Sequence, residues 1–542
     1  MKKLVALLLA LVLVLSMTAC AKTEAPKADA PAADAPAADA PAADAPAADA
    51  PAAEAPAAEA PAADDGEIYT LTYYEIANSD TAVRESVQDA INAYIEPIIG
   101  ANVEFALIGW GDWDSKALTA LQAGEKIDIM FTADWKSYVR SVGMNLFTPL
   151  NDDNGEYGNL LATYGAGILE SINPFFITGT QYNGVNYGVP TNKEVCVPMG
   201  YIYNETTAAE VGLDPTAIKD IADFEPYFAK FKELHPEWYP YLSDGSWGSE
   251  PWVPGFVSIG GNCLSMKQEL QADGNFDLNV YSVWETPENK AHVETMYKFM
   301  QAGYVHPDSS LNTFDVATSP EWAAGQWLVQ SAPLKGSNIK GNELVIASGN
   351  LDMKVNEIYG QGKYIVTTHA GGSMLGIPVA SENPVKAMQY INMLHTDKTL
   401  LDMQLFGIPE EHWTLAEDGR VQQLDTQWYS SHGGAWTMGN TALQNVTTNE
   451  DPTKNQALQD YGKDAVAHAS LGFRYEVPAA LESQWAAVNN VVDGMNRSLL
   501  TGALDPAQYL DQYIADLKAA GLDEIKADVQ AKFDAWYAVV NG

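Results

Sequence analysis

Ile68-Tyr-Thr-Leu-Thr-Tyr-Tyr74, then Val103-Glu-Phe-Ala-Leu-Ile108, then Ile127-Asp-Ile-Met-Phe-Thr132 are the three short runs that decide the fold. The first, rich in aromatic and β-branched residues, reads as a buried strand. Asn78-Ser-Asp80 supplies a turn and a helix cap ahead of residues 83–98, where apolar side chains recur at helical spacing. A second helix is predicted over 115–123, between the second and third runs. Strand, helix, strand, helix, strand is most economically a parallel sheet with right-handed crossovers. Ligands of such sheets sit beyond the carboxyl ends of the strands. Those ends deliver Asn78 and Asp80, then Trp110, Asp112 and Trp113, then Asp134 and Trp135 to one rim. Helix N-capping competes with ligand contact as the role of the three aspartates.

Upstream of this unit, Lys2 and Lys3 precede an apolar run over residues 4–15 that is too short to span a bilayer and reads as a secretory signal. It ends in Met17-Thr18-Ala19-Cys20, which resembles the lipobox of bacterial lipoproteins with Met17 as a mild departure. Cleavage after residue 19 would leave Cys20 to carry a diacylglycerol, and two acyl chains hold a protein firmly on a membrane. Residues 31–63 repeat Pro-Ala-Ala-Asp/Glu-Ala. Proline in every would-be helical turn and no large apolar side chain leave nothing to bury, so residues 20–66 read as a disordered spacer. At ~3.1 Å per residue in extended polyproline form its reach is at most ~140 Å. That suits a folded body held above a Gram-positive plasma membrane.

The remaining residues, 67–542, exceed what one core usually supports, so at least two lobes are expected. A formal net charge of −41 excludes nucleic acid and anionic membrane surfaces as partners, leaving the lipid as the only membrane contact. Cys196 and Cys263 are either one disulfide or, more plainly, two isolated thiols. Aromatic content is unusual: 14 Trp and 26 Tyr, many beside Gly, Asp, Asn or Pro. Indoles in loops are candidate platforms for sugar rings, whose C–H faces stack while hydroxyls meet amides and carboxylates. Packing in cores and lobe interfaces is the competing role for most of them.

A family resemblance then appears in an ordered succession of motifs. Gly124-Glu-Lys-Ile-Asp-Ile-Met-Phe-Thr-Ala-Asp-Trp135, Leu146-Phe-Thr-Pro-Leu150, Gly184-Val-Asn-Tyr-Gly-Val-Pro190 and Leu375-Gly-Ile-Pro-Val-Ala-Ser-Glu-Asn-Pro384 resemble landmarks of family 1 extracellular solute-binding proteins. These are receptors of carbohydrate-type ABC importers. The ending Ile408-Pro-Glu-Glu-His-Trp413 departs slightly from the family pattern. Trp436-Thr-Met-Gly-Asn440, Gly472-Phe-Arg474 and residues 489–536 are similar to the C-terminal domain of uncharacterised function in LipO-type lipoproteins of that family.

The resemblance implies an α/β, two-lobed periplasmic-binding-protein-like fold of type II, each lobe a mostly parallel sheet flanked by helices and joined by hinge strands. Lobe I would be residues 67–190 with a returning segment near 355–375, lobe II residues 191–354, and 376–542 a C-terminal helical region completing the lobes. Residues 183–193 would make the first hinge crossing. It implies a monomer that encloses a carbohydrate and hands it to a two-subunit permease, without catalysis or cofactor. The site residues expected are Asn78, Trp110, Asp112, Asp134, Trp135, Trp252, Trp322, Trp436 and Arg474, the indoles stacking and Asp134 and Arg474 hydrogen-bonding ligand hydroxyls or carboxylates.

Two alternatives stand beside this reading, one within the binding class and one an enzyme. An acidic, aromatic cleft would also suit a peptide or amino sugar. A surface glycoside hydrolase needs two carboxylates flanking the scissile bond; Glu410-Glu411 and Asp152-Asp153 are adjacent pairs that read better as solvated surface. No zinc-protease, nucleophile-elbow or phosphate-loop motif is present, and Asp273-Gly-Asn-Phe-Asp277 reads as a polar hairpin turn, not a calcium loop. His369, beside Gly371-Gly372, reads as a hinge or core residue.

Overall fold

The computed structural model describes residues 68–242, 255–259, 261, 263–311, 319–334, 345, 350, 352–359, 362–432 and 434–541. The signal, Cys20, the spacer, Trp247 and Trp252 lie outside the described residues. In chain order the elements that frame the site are β1 (Tyr69–Ala77), α1 (Arg84–Ile99), β2 (Ala101–Gly109), α2 (Trp113–Ala123), β3 (Ile129–Thr132), β4 (Gly188–Pro190), β5 (Met199–Asn204), β6 (Tyr241–Leu242), β7 (Val329–Pro333), β8 (Val355–Tyr359), β9 (Met374–Gly376), α3 (Pro384–Thr396), α4 (Lys398–Phe406), α5 (Glu482–Leu500), α6 (Pro506–Ala519) and α7 (Leu522–Asn541).

The opening βαβαβ unit forms as the periodicity predicts. In α1, Val87, Ile91, Ile95 and Ile99 fall four residues apart and are all buried. Gly100, left-handed at φ 60°, ends the helix by donating its N–H to the carbonyl of Glu96. The first sheet runs β2-β1-β3-β9-β4. β1 pairs parallel with β2 and β3, while β9 lies antiparallel between β3 and β4, so one strand of five opposes the rest. Strand alternation divides its side chains between two cores: Ile129 and Leu375 face one, Met130 and Met374 the other.

The second sheet runs β8-β5-β7-β6. Here β5 is antiparallel to both neighbours and β6 parallel to β7. Again one strand opposes the others, which makes each lobe's sheet mixed in orientation. Tyr201, Val329 and Ile358 pack with Phe224, Phe228 and Phe299 on one face; Ile202 and Val355 pack with Trp322 and Trp327 on the other.

The chain crosses between the sheets after β4, over residues 191–198, and again between β8 and β9. Residues 355–359 therefore belong to the second lobe's sheet, and the return to the first lobe comes later than expected, at Met374–Gly376. The C-terminal region divides. α3, capped by Asn383 and burying Ala387, Ile391 and Leu394, joins the first lobe together with α4. α5–α7 form a bundle whose Val488, Leu510, Tyr513, Leu517, Val529 and Phe533 pack on Leu264, Met266, Trp284 and Val293. A third crossing lies between Leu471, in the first lobe's core, and Phe473, in the bundle's core. Cys196 and Cys263 are free thiols, both pushed up to about 12 by burial. Among the described residues no helix is long and apolar enough to cross a membrane.

Candidate ligand-binding site

The carboxyl ends of β1, β2 and β3 deliver Asn78, Trp110 and Trp135 to one edge of the first sheet, as expected of a parallel unit. Trp436 arrives from the loop after the helix Gln427–Ser431, which is tied to β1 where Ser431 accepts the N–H of Asn78 at 2.7 Å. Beneath that loop, buried Glu75 contacts His432 and accepts a hydrogen bond from Gln404 at 3.3 Å.

The result is a triangle of indoles. Ring centroids lie 6.0 Å apart for Trp110 and Trp135, 5.8 Å for Trp110 and Trp436, and 6.4 Å for Trp135 and Trp436, with planes 23°, 17° and 40° apart. Phe131, 1% exposed, supports all three at 6.0–6.4 Å and stands 57–85° to them. Each such pair contributes ~0.5–1.5 kcal/mol beyond area burial, so the rings hold one another in place before any ligand arrives. Polar bonds fix their orientation. The Trp110 indole N–H donates to Asn78 Oδ1 at 2.9 Å, that of Trp135 to the Gly372 carbonyl at 2.8 Å, and Ser373 Oγ donates to the Trp436 carbonyl at 2.8 Å. Trp135 keeps 51% of its surface exposed, so its indole is available to a partner.

Next to the platform is a buried clasp. Arg474 Nε and Nη2 donate to the two carboxylate oxygens of Asp134 at 2.9 and 3.0 Å, and Nη1 donates to the Gln181 carbonyl at 2.7 Å. The guanidinium also lies 5.4 Å from the ring of Tyr138. Burial pushes the Asp134 carboxyl up, and the guanidinium pulls it part of the way back. The Asp134 N–H donates to the Gly371 carbonyl at 2.8 Å. Gly371 makes room for this arrangement: a Cβ there would lie 2.0 Å from Asp134 Oδ2. The Gly371-Gly372 pair of the second crossing thus grips both Asp134 and Trp135, and the third crossing, through Arg474, grips Asp134 again.

Residues 89–404 match the family model described as bacterial extracellular solute-binding protein. The chain belongs to this family. Residues 469–538 of this solute-binding protein also match a domain of unknown function (DUF3502). It is 26% identical over 479 residues to a carbohydrate ABC transporter substrate-binding protein of Streptococcus pneumoniae serotype 4, covering 87% of this chain and 91% of that one. Its fold is similar to the crystal structure of the N-glycan transport solute binding protein (NgtS) from Streptococcus pneumoniae, with a TM-score of 0.73, 22% identity and coverage of 87% and 99% of the two chains. The same protein in complex with Man5GlcNAc matches at a TM-score of 0.65, with the same identity and coverage.

Of the residues expected in the site, Asn78, Trp110, Trp135 and Trp436 come together in this solute-binding protein, with Asn78 positioning Trp110. Asp134 and Arg474 adjoin them and are bonded to each other and to the backbone, a pairing that also holds Trp135 in place. Asp112 stays at the exposed start of α2, paired with Lys116 at 2.9 Å. Asp80 does not cap the helix, whose N-cap is Val83 without a side-chain bond; it accepts locally from the N–H of Thr81 at 2.8 Å and from Arg84 at 2.9 Å. Trp322 is not on the wall. It is fully buried in the second lobe against Trp327, 4.6 Å away, because its helix lays its apolar side on the sheet. Trp113 likewise packs inward, 5.7 Å from Phe131. Residues 270–276 form the expected hairpin, closed by Gln271 N–H donating to the Asn275 carbonyl at 2.8 Å. The sequence reading missed Phe131 as the platform's base and Gly371-Gly372 as its clamp, although both stood in quoted segments.

Proposed function

We propose that this chain is the receptor of a carbohydrate ABC importer, held at the outer face of the plasma membrane through Cys20, and that it captures an oligosaccharide and releases it unaltered to a two-subunit permease. The single observation that carries this reading is the triangle of mutually packed indoles, of which Trp135 is half exposed. The carbohydrate names of the similar proteins support it. Hinge bending at the three crossings lets the lobes open and close, and ligand favours closure by its differential affinity for that arrangement. A cationic peptide fits less well, because Lys136 Nζ already lies 5.7 Å from the Trp135 ring and Asp134 is neutralised by Arg474. Calorimetry with neutral oligosaccharides and with basic peptides tests the reading. Binding of the former with the sugar recovered intact is expected; binding of peptides alone, or recovery of cleaved sugar, would overturn it.

A further inference from the structure

A crevice of about 240 Å³ lies where three parts of the chain meet. Tyr182 and Asn183 enter from a first-lobe hairpin, Arg474 and Glu476 from the third crossing, and Lys532 and Trp536 from α7. We infer that this crevice is an accessory subsite for one neutral sugar ring of a longer or branched oligosaccharide, an inference that rests on the carbohydrate reading above.

Size points to a single ring, since pockets for drug-sized ligands run ~300–1,000 Å³. Its lining has the mixture a pyranose needs: aromatic surface from Trp536 and Tyr182, and polar atoms able to donate and accept. Tyr182 Oη donates to Glu476 Oε2 at 2.7 Å, which fixes that carboxylate at the crevice wall. Lys532 Nζ donates to the Glu476 carbonyl at 2.8 Å and pairs with Asp528 at 3.2 Å, retaining a third N–H. Arg474 spends three of its five N–H groups on Asp134 and Gln181, and two remain. With both cations already paired, the unpaired charge here is the Glu476 carboxylate, which disfavours uronates and other acidic sugars.

Position gives the crevice its consequence. Arg474 connects it to Asp134, the neighbour of Trp135, so the crevice and the indole platform share one clasp. A ring held here touches the first lobe and the C-terminal bundle together, and its binding adds to whatever favours one hinge arrangement.

The test is calorimetry on the full folded chain with a short and a branched probe, Man1GlcNAc and Man5GlcNAc, for wild type, Trp536→Ala and Glu476→Gln. Both variants are expected to lose about fivefold or more in affinity for the branched probe while keeping wild-type affinity for the short one. Trp536→Phe, which preserves packing on Phe473 and Phe533, should recover most of the loss. Equal losses for both probes, or none for either, would overturn the subsite while leaving the platform intact. A wild type that binds neither probe nor any other neutral oligosaccharide would instead refute the carbohydrate reading itself, and the subsite with it.

Discussion

Replacing Arg474 by Met tests whether the clasp holds the platform or reaches for ligand. The guanidinium is 3% exposed and its partner carboxylate 15%, so the substitution strands a nearly buried charge and removes the bond to Gln181. Breaking one side of such a pair costs about 3–5 kcal/mol. Its pH dependence follows from Asp134. The carboxyl is pushed above its ordinary 3.8 by burial, and Arg474 is what pulls it down, so the variant raises it further. A carboxyl whose folded pKa lies above its unfolded value makes the fold more stable as pH falls toward that unfolded value, by about 1.4 kcal/mol per pH unit within the window between the two. The deficit of Arg474→Met should therefore be largest at neutral pH and shrink as the pH falls through the raised carboxyl toward 3.8. Urea denaturation of both proteins over a pH series from neutral to acid measures it. Because Asp134 precedes Trp135, oligosaccharide affinity should also fall, and Asp134→Asn combined with Arg474→Met should recover part of the stability. A deficit that is constant or grows on acidification, or unchanged unfolding midpoints, would refute the clasp.

The other perturbations separate platform from core. Trp135→Ala and Trp436→Ala should each cost about 2 kcal/mol of oligosaccharide binding, roughly 30-fold, in protein that remains folded. Trp322→Ala should do the reverse, costing about 3–5 kcal/mol of stability while the folded fraction keeps its affinity. Gly371→Ala forces a methyl against Asp134 and should destabilise by about 1–3 kcal/mol, with weaker ligand binding, by the same unfolding and titration assays. Buried His395 and His468 have pKa values lowered by burial to about 3 and about 4 from 6.5. Both must fold neutral, so the stability they leave intact above pH 6.5 is lost as pH falls, by about 2 kcal/mol each at pH 5; denaturation at pH 7 and pH 5 reads this, and replacing His468 by Gln should flatten the slope.

Local periodicity made the first half of the site legible. The aromatic and β-branched content of 68–74 and the helical spacing in 83–98 specify β1 and α1, and parallel topology then obliges Asn78, Trp110 and Trp135 to share an edge. Trp436 and Arg474 were reached only through resemblance, since no local pattern joins residues 340 apart such as Asp134 and Arg474. Trp322 misled because amphipathic spacing shows that a helix has a buried side, not which residue meets the sheet. The same limit hid the allegiance of α5–α7: an apolar stripe demands a partner and does not name it. β8 was misplaced because a strand of five residues reads alike in either lobe's sheet.

A crystal structure of the protein with a bound neutral oligosaccharide tests the platform most directly. Sugar C–H faces should lie within about 4 Å of the Trp135 and Trp436 rings, with Asp134 still paired to Arg474 and every glycosidic bond intact. Density for the sugar away from all three indoles, or for a cleaved product, would contradict the account.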